Sequence, residues 1–487
     1  MAKEKVTIGA EGITDARALG IPKMLVLGFQ HMFAMFGATV LVPLLTGLNI
    51  ATTLLMAGLG TLLFHLITKG KVPAFLGSSF AFLGGYAAIA PVEGANGMTQ
   101  KELLPYACLG VAAAGLVYLV LAGLIKLVGI NRVMKFFPPV VTGPIIIAIG
   151  LGLAGSAVGN CQNNWLLAII ALLIIIVFNI WGKGMAKIIP ILLGVLGATA
   201  VAAVLALCFG ETITASDGME YIALAGKENL KLFSVSALNN LKDAAWVGIP
   251  VNWSGTVFGG IDWSKSGLII GSIIAIVPIS LATMMEHIGD ISAISSTVGK
   301  NFIKDPGLHR TLMGDGLATA IASLFGAPAN TTYGENTGVL ALSKVYDPRV
   351  IRLAAIFAVV FSFSPKFEAF INLIPTAVIG GISFILYGMI SAIGVRNVVE
   401  NKVDFTKSRN TIIAALILVC ALGLGAVTFS IGSVTISLSA LAVASIVGIV
   451  VNAVLPGKDY VFSTEEPTPT GVNFELSKGQ DEAVKGE

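Results

Sequence analysis

Between about Met24 and Leu455 the chain repeats one pattern: an apolar run, a short break carrying Lys, Arg, Asn or Gly, then another apolar run. Each run approaches the roughly 20 residues that a helix needs to cross the hydrocarbon of a bilayer, and about fourteen such segments are predicted. Seven fall within 24–209 and seven within 266–455, divided by a mixed, Asn- and Trp-containing stretch at 210–265. Because seven is odd, two related halves of seven must enter the membrane in opposite directions, an inverted repeat. The third segment of each half breaks the helical pattern. PAFLGSSFAFLGGYAAI starts at Pro73 and PANTTYGENTGVLALSK spans 328–344. Each begins after a Pro, passes through paired hydroxyl residues (Ser78 and Ser79; Thr331 and Thr332) to an aromatic (Phe80; Tyr333), and then meets Gly, so GSSF aligns with NTTY. Such residues favour extended backbone. Irregular backbone at membrane depth survives only where protein or a cavity satisfies it. Two breaks at matching positions therefore point to one site near the midplane.

Composition agrees: 55% of the 487 residues are hydrophobic and 12% charged, which puts the chain in the membrane class. Cytoplasmic loops retain Lys and Arg. With the N-terminus inside and fourteen spans, 24 of the 30 basic residues lie on the cytoplasmic side, leaving Lys101, Lys227, Lys231, Lys242, Lys265 and Lys366 outside. The expected layout is a cytoplasmic N-terminus (1–23), a first repeat (24–209), an extracellular loop (210–265), a second repeat (266–455) and a polar, disordered cytoplasmic tail (456–487). The N-terminus has no short apolar core before a small-residue cleavage site, so no cleaved signal peptide is predicted. Cys108, Cys161, Cys208 and Cys420 are scattered singly, without disulfide or metal spacing. The sequence carries no HExxH, nucleophile elbow, Cys/His cluster or P-loop, so neither an enzyme, a metal, a cofactor nor an ATP-driven pump is expected.

The polar residues inside the apolar runs carry the chemistry. A charged side chain at mid-span costs about 2.5–3.5 kcal/mol on insertion scales, so intramembrane acids are functional candidates. Glu286 and Asp290, in ISLATMMEHIGDISAISS, lie four residues apart on one helical face. Asp315 follows in TLMGDGLATAI, and Glu335 in the second broken segment. With no Lys or Arg in those spans, these four are the candidates for taking up and releasing protons. Asp315 is equally suited to capping backbone N–H groups near a helix end. Gln30 and His31 in the first span read as packing or scaffold partners, His65 and His309 as interfacial, and Tyr387 as either a site aromatic or a packing residue.

QHMFAMFGATVLVP, GSSFAF, MMEHIG, DPGLHR and above all NTTYGENTGV resemble the nucleobase-ascorbate transporter family (nucleobase:cation symporter-2 type), nearest its bacterial uracil permease branch, over the whole of 24–455. The family signature runs through Glu335, Asn336, Thr337 and Gly338 to Ser343 and Lys344, with Ser where the family has Thr. The resemblance implies an all-α polytopic membrane protein of 14 segments, with short antiparallel strands in segments 3 and 10. It divides them into a core (segments 1–4 and 8–11) and a gate (5–7 and 12–14). It implies import of uracil by proton symport at the cell membrane. Glu286 and Glu335 would accept hydrogen bonds from the base and backbone N–H groups near Phe80 and Gly334 would donate to it. Ala38, Phe80, Tyr333 and Tyr387 would pack around the ring with Ser79 beside them, on a scaffold of Gln30, His31 and Asn336. Expected partners are a nucleobase, the proton, the bilayer and, through the gate, a second copy, with no nucleic acid. Asp290 stands where uracil permeases tend to have His and purine-type relatives have Asp, which keeps a xanthine or urate carrier open. A sulfate- or bicarbonate-type anion carrier is the remoter alternative, since two acids would repel its substrate.

Overall fold

The computed structural model describes residues 12–95, 97–183, 185–431, 434–462 and 474–476. The apolar runs become helices because in lipid each backbone N–H and C=O must find its partner within the segment. Helices α1 (Ile21–Thr46) and α2 (Ile50–Ile67) lead to a strand, β1 (Leu76–Ser78), and a short helix, α3 (Leu83–Ile89). Then come α4 (Gln100–Val128), α5 (Pro139–Gly152), α6 (Trp165–Trp181) and α7 (Pro190–Phe209). After the central loop follow α8 (Ser266–Ile276), α9 (Ser280–Val298) and α10 (Leu308–Leu324). A second short strand, which we call β5 (Asn330–Thr332) to leave room for three strands in the loop, precedes α11 (Gly334–Ser343). The chain closes with α12 (Pro348–Ser362), α13 (Pro365–Asn372), α14 (Thr376–Glu400), α15 (Ser408–Gly423) and α16 (Ala440–Val454).

Among the described residues seven spans are long and apolar enough to cross a bilayer, α8 and α9 counting as one, and the pair α12–α13, bent by 89°, makes an eighth. The protein is a mostly helical, multi-pass membrane protein. It is less purely helical than expected. The central loop holds an antiparallel sheet of β2 (Gly210–Thr214), β3 (Glu220–Leu224) and β4 (Lys231–Ser234). A hairpin, Val427–Ile431 with Val434–Leu438, precedes α16. The hairpin is rich in Thr, Ile and Val, and the sheet carries Thr, Ile, Tyr and Phe, types that suit a pleated surface. Of the tail, residues 456–462 and 474–476 are described, with Tyr460–Phe462 paired to Phe474–Leu476 where disorder was expected; residues 463–473 and 477–487 lie outside the described residues, as does the expectation of disorder there.

The helices pack in two groups. In one, α10 lies on α2 and α4, α12 on α1 and α2, and α8 on α4. In the other, α14 lies on α5 and α6, α15 on α5 and α16, and α7 on α6. Small residues let the axes approach, as is usual where lipid supplies no hydrophobic drive between helices. A Cβ on Gly115 would come within 2.7 Å of the Gly316 carbonyl oxygen, and one on Gly394 within 2.5 Å of the Ile147 nitrogen.

The segment before α1 is clipped to the turn after α11. Ile13 N–H donates to the Lys344 carbonyl (2.7 Å), Tyr346 N–H to the Ile13 carbonyl (2.8 Å) and Ala16 N–H to Asp347 Oδ2 (2.8 Å). Hydrogen bonds from Arg17 hold the Asp15 carboxyl down to about 2, so its contact with Arg349 (3.0 Å) persists throughout the neutral range.

Candidate substrate site at the paired strands

The two interrupted segments meet. Strands β1 and β5 pair antiparallel, Leu76 opposite Thr332, Gly77 opposite Thr331 and Ser78 opposite Asn330. Ser79 N–H to the Ala329 carbonyl and Tyr333 N–H to the Phe75 carbonyl, both 3.0 Å, extend the ladder. A two-stranded ribbon leaves both outer edges bare, and here side chains fill them. Thr61 Oγ1 of α2 accepts from Leu76 N–H (2.9 Å) and donates to the Leu76 carbonyl (3.3 Å). Thr319 Oγ1 of α10 does the same for Asn330, accepting its N–H (3.3 Å) and donating to its carbonyl (2.9 Å). Asp315 Oδ1, also on α10, accepts Thr332 N–H (2.9 Å). Unpaired backbone deep in a membrane protein is thereby satisfied.

These contacts have a local two-fold relation that carries Leu76–Ser79 onto Asn330–Tyr333. The alignment of GSSF with NTTY is therefore displaced by one residue: Ser79, not Phe80, corresponds to Tyr333, and Phe80 corresponds to Gly334. Similar residue types are a weaker guide to register than the backbone ladder. From the far end of each strand a short helical stretch departs, one beginning at Phe80 and the other at Gly334. The first N–H groups of each have no partner within the helix and carry its positive dipole end.

Beside them lies a cavity of about 350 Å³ lined by Ser79, Phe80, Glu286, Asp290, Tyr333 and Gly334, and extending to Arg396 and Glu400 on α14. Glu286 and Asp290, one turn apart on α9, both reach it. A Cβ on Gly334 would stand 3.2 Å from Asp290 Oδ1, so the carboxylate sits against the amino end of α11. Tyr333 turns its ring across β1, where its hydroxyl donates to the Ser78 carbonyl (2.9 Å). This overlay needs glycine beneath it, because a Cβ on Gly77 would meet the Tyr333 ring at 2.6 Å and Thr39 Oγ1 at 2.7 Å. Gly77→Ala is expected to push the ring off the strand at a cost of about 1–3 kcal/mol. Uptake would fall while protein still reaches the membrane, and unchanged uptake by a normally expressed variant would contradict the packing.

Residues 22–431 match the sequence profile described as the Permease family. The chain belongs to this family. Similar proteins include the uracil permease of Bacillus subtilis (strain 168), 37% identical over 94% of this chain and 97% of that one. The uracil permease of Bacillus caldolyticus is 39% identical over 92% and 94%. Among solved structures the transmembrane domain of the cyanobacterium bicarbonate transporter BicA shares the fold, with a TM-score of 0.60 at 14% identity over 91% of this chain and 99% of that one.

In the permease not every predicted site residue reaches the cavity. Ala38 is fully buried on α1 and absent from the lining. Tyr387 stands behind Phe80, their rings edge to face at 5.7 Å, and supports the wall instead of forming it. Asp315 is buried one layer back, where it holds β5. The backbone of Glu335 lies in the first turn of α11, and its side chain falls outside the described residues. Gln30 and His31 on α1 and Asn336 on α11 are buried on two helices that pack together.

The residue that sequence reasoning missed is His287. Its Nδ1 lies 3.2 Å from Asp315 Oδ2 and 3.1 Å from Thr332 Oγ1, tying α9, α10 and β5 together. One signal was available: His287 follows Glu286, and a step of one residue turns about a quarter of the helix, from the cavity toward the strands. Thr61 and Thr319 offered none. Thr46 at the end of α1 and Thr68 just after α2 donate only to carbonyls of the preceding turn, Val42 and Phe64 among them.

Proposed function

We propose that this permease imports uracil with protons across the cell membrane. The observation that carries the reading is the cavity floor, where two carboxylate-bearing positions on α9 face two helix amino ends across a paired-strand platform. Uracil is a flat neutral imide with two N–H donors and two carbonyl acceptors. Carboxylates suit the first and unpaired backbone N–H groups the second. The relatives that carry the name uracil permease support the choice of base. An anion is disfavoured beside Glu286 and Asp290, and likeness to a bicarbonate transporter speaks for the fold alone.

In this reading the short apolar helices and the two strand-broken segments complete fourteen crossings in a 7+7 inverted repeat. The group around α10 is the core and the group around α14 the gate, with both termini cytoplasmic. Two copies associate through the gate, which the mass of the purified protein in detergent tests. The core carries the base past the gate, and protonation of Glu286, Glu335 or Asp290 links the movements. Asp290, at the place where purine-type relatives have Asp, favours a xanthine or urate carrier as the second reading.

Labelled uracil uptake challenged with unlabelled xanthine, guanine and thymine separates the two. Competition by xanthine at uracil-like concentrations would transfer the assignment to purines. In proteoliposomes, uptake is expected to follow an imposed inward proton gradient. Uptake that tracks sodium and ignores pH would remove the coupling. Glu335→Gln is expected to weaken uracil binding severely.

A further inference from the structure

A second concavity lies on the membrane-facing surface, next to the substrate cavity. It is an apolar crevice of about 540 Å³. Leu124 and Val128 of α4 form one wall and Ile446 and Val450 of α16 the other, so it follows the seam between the two helix groups. From Leu121 to Val128 it runs along eight residues of α4, or about 10 Å. Leu124 is 45% and Val450 53% exposed, so these walls are open to whatever surrounds the helices. Among the described lining residues Arg132 is the only polar one, and it stands in the α4–α5 connection between exposed Lys126 and Lys135. No carboxylate pairs with Arg132 among the described residues. Phe137 lines this crevice and the substrate cavity alike, so one side chain separates them.

We propose that the crevice binds one acyl chain of an anionic phospholipid whose headgroup pairs with Arg132. Both walls belong to membrane-embedded helices, so the neighbour that can fill an elongated apolar slot is a hydrocarbon chain. A site that is apolar along its length with a single charge at its mouth selects an amphiphile of opposite charge. The basic connection beside it draws anionic lipid to that end, as clustered Lys and Arg do at a membrane surface.

The probe is phosphatidylglycerol against phosphatidylcholine, titrated into the delipidated full chain in detergent and read by native mass spectrometry. One phosphatidylglycerol per chain is expected to be retained, about tenfold in preference to phosphatidylcholine. Arg132→Gln is expected to bring the two lipids near parity, and Leu124→Trp, which fills the slot, to lose both. Substrate binding by Arg132→Gln, unchanged from the wild type, identifies a folded protein without relying on the lipid readout. Equal retention of the two lipids by the wild type would overturn the proposal. So would undiminished phosphatidylglycerol preference in Arg132→Gln, or undiminished retention in Leu124→Trp.

Discussion

Glu286→Gln is expected to weaken uracil binding about ten- to hundredfold, the largest effect of any single substitution at the cavity. A hydrogen bond to a charged group is worth roughly 1.5–3 kcal/mol, and Glu286 reaches the cavity from the helical face it shares with Asp290. An ionised carboxylate only accepts. The amide of Gln adds two donors that oppose the base's own N–H groups, so the exchange forfeits charge and introduces a mismatch. Equilibrium binding of labelled uracil to purified protein at fixed pH measures the first loss. The amide cannot bind and release a proton in this range, so proton-driven accumulation in vesicles is expected to fall further than binding does. Wild-type affinity in the Gln variant would remove Glu286 from the site.

The second large effect is expected one layer behind. Asp315→Ala deletes the acceptor for Thr332 N–H and the partner of His287, all of them buried. Leaving a buried donor without its acceptor costs about 1–3 kcal/mol, and the Ala variant orphans Thr332 N–H while taking the carboxyl group away from His287. Asp315→Asn keeps an oxygen for Thr332 N–H and is expected to lose less. Thermal unfolding of detergent-purified protein, followed by the loss of its monodisperse chromatographic peak, ranks the three forms. Uracil binding is expected to fall in parallel, since Thr332 lies in the strand that leads to Gly334. A stable Ala variant that binds normally would mean that β5 needs no such anchor.

These two residues mark what could and could not be read from the sequence. Pro, hydroxyl and Gly residues at Pro73 and Pro328 announced broken segments, because such residues oppose helix wherever they stand. Glu286 and Asp290 announced themselves through the cost of an acid in lipid and a spacing of four. What the sequence left hidden depends on neighbours distant in the chain. The anchoring of Thr332 by Asp315 joins residues on different elements, and nothing in TLMGDGLATAI tells a strand anchor from a proton carrier. The roles of Ala38 and Tyr387 turn on which layer each side chain occupies, and hydrophobicity does not distinguish a cavity wall from its support. The central sheet was legible but went unread. Asp217–Gly218, with Gly218 at φ 76°, lies between two strand-favouring stretches and is a hairpin signal.

Both edges of the β1–β5 ribbon are tied by side chains of α2 and α10, so hydrogen bonds of the protein itself fix the shape of the ladder between them. A substrate arriving there has little disorder to remove, so little of its interaction energy is consumed in stiffening the receptor. It follows that uracil analogues which keep the imide edge would differ in affinity through their own contacts alone. The slow, costly step of each cycle would then belong to the movement proposed at the seam between the helix groups, where temperature and membrane composition act.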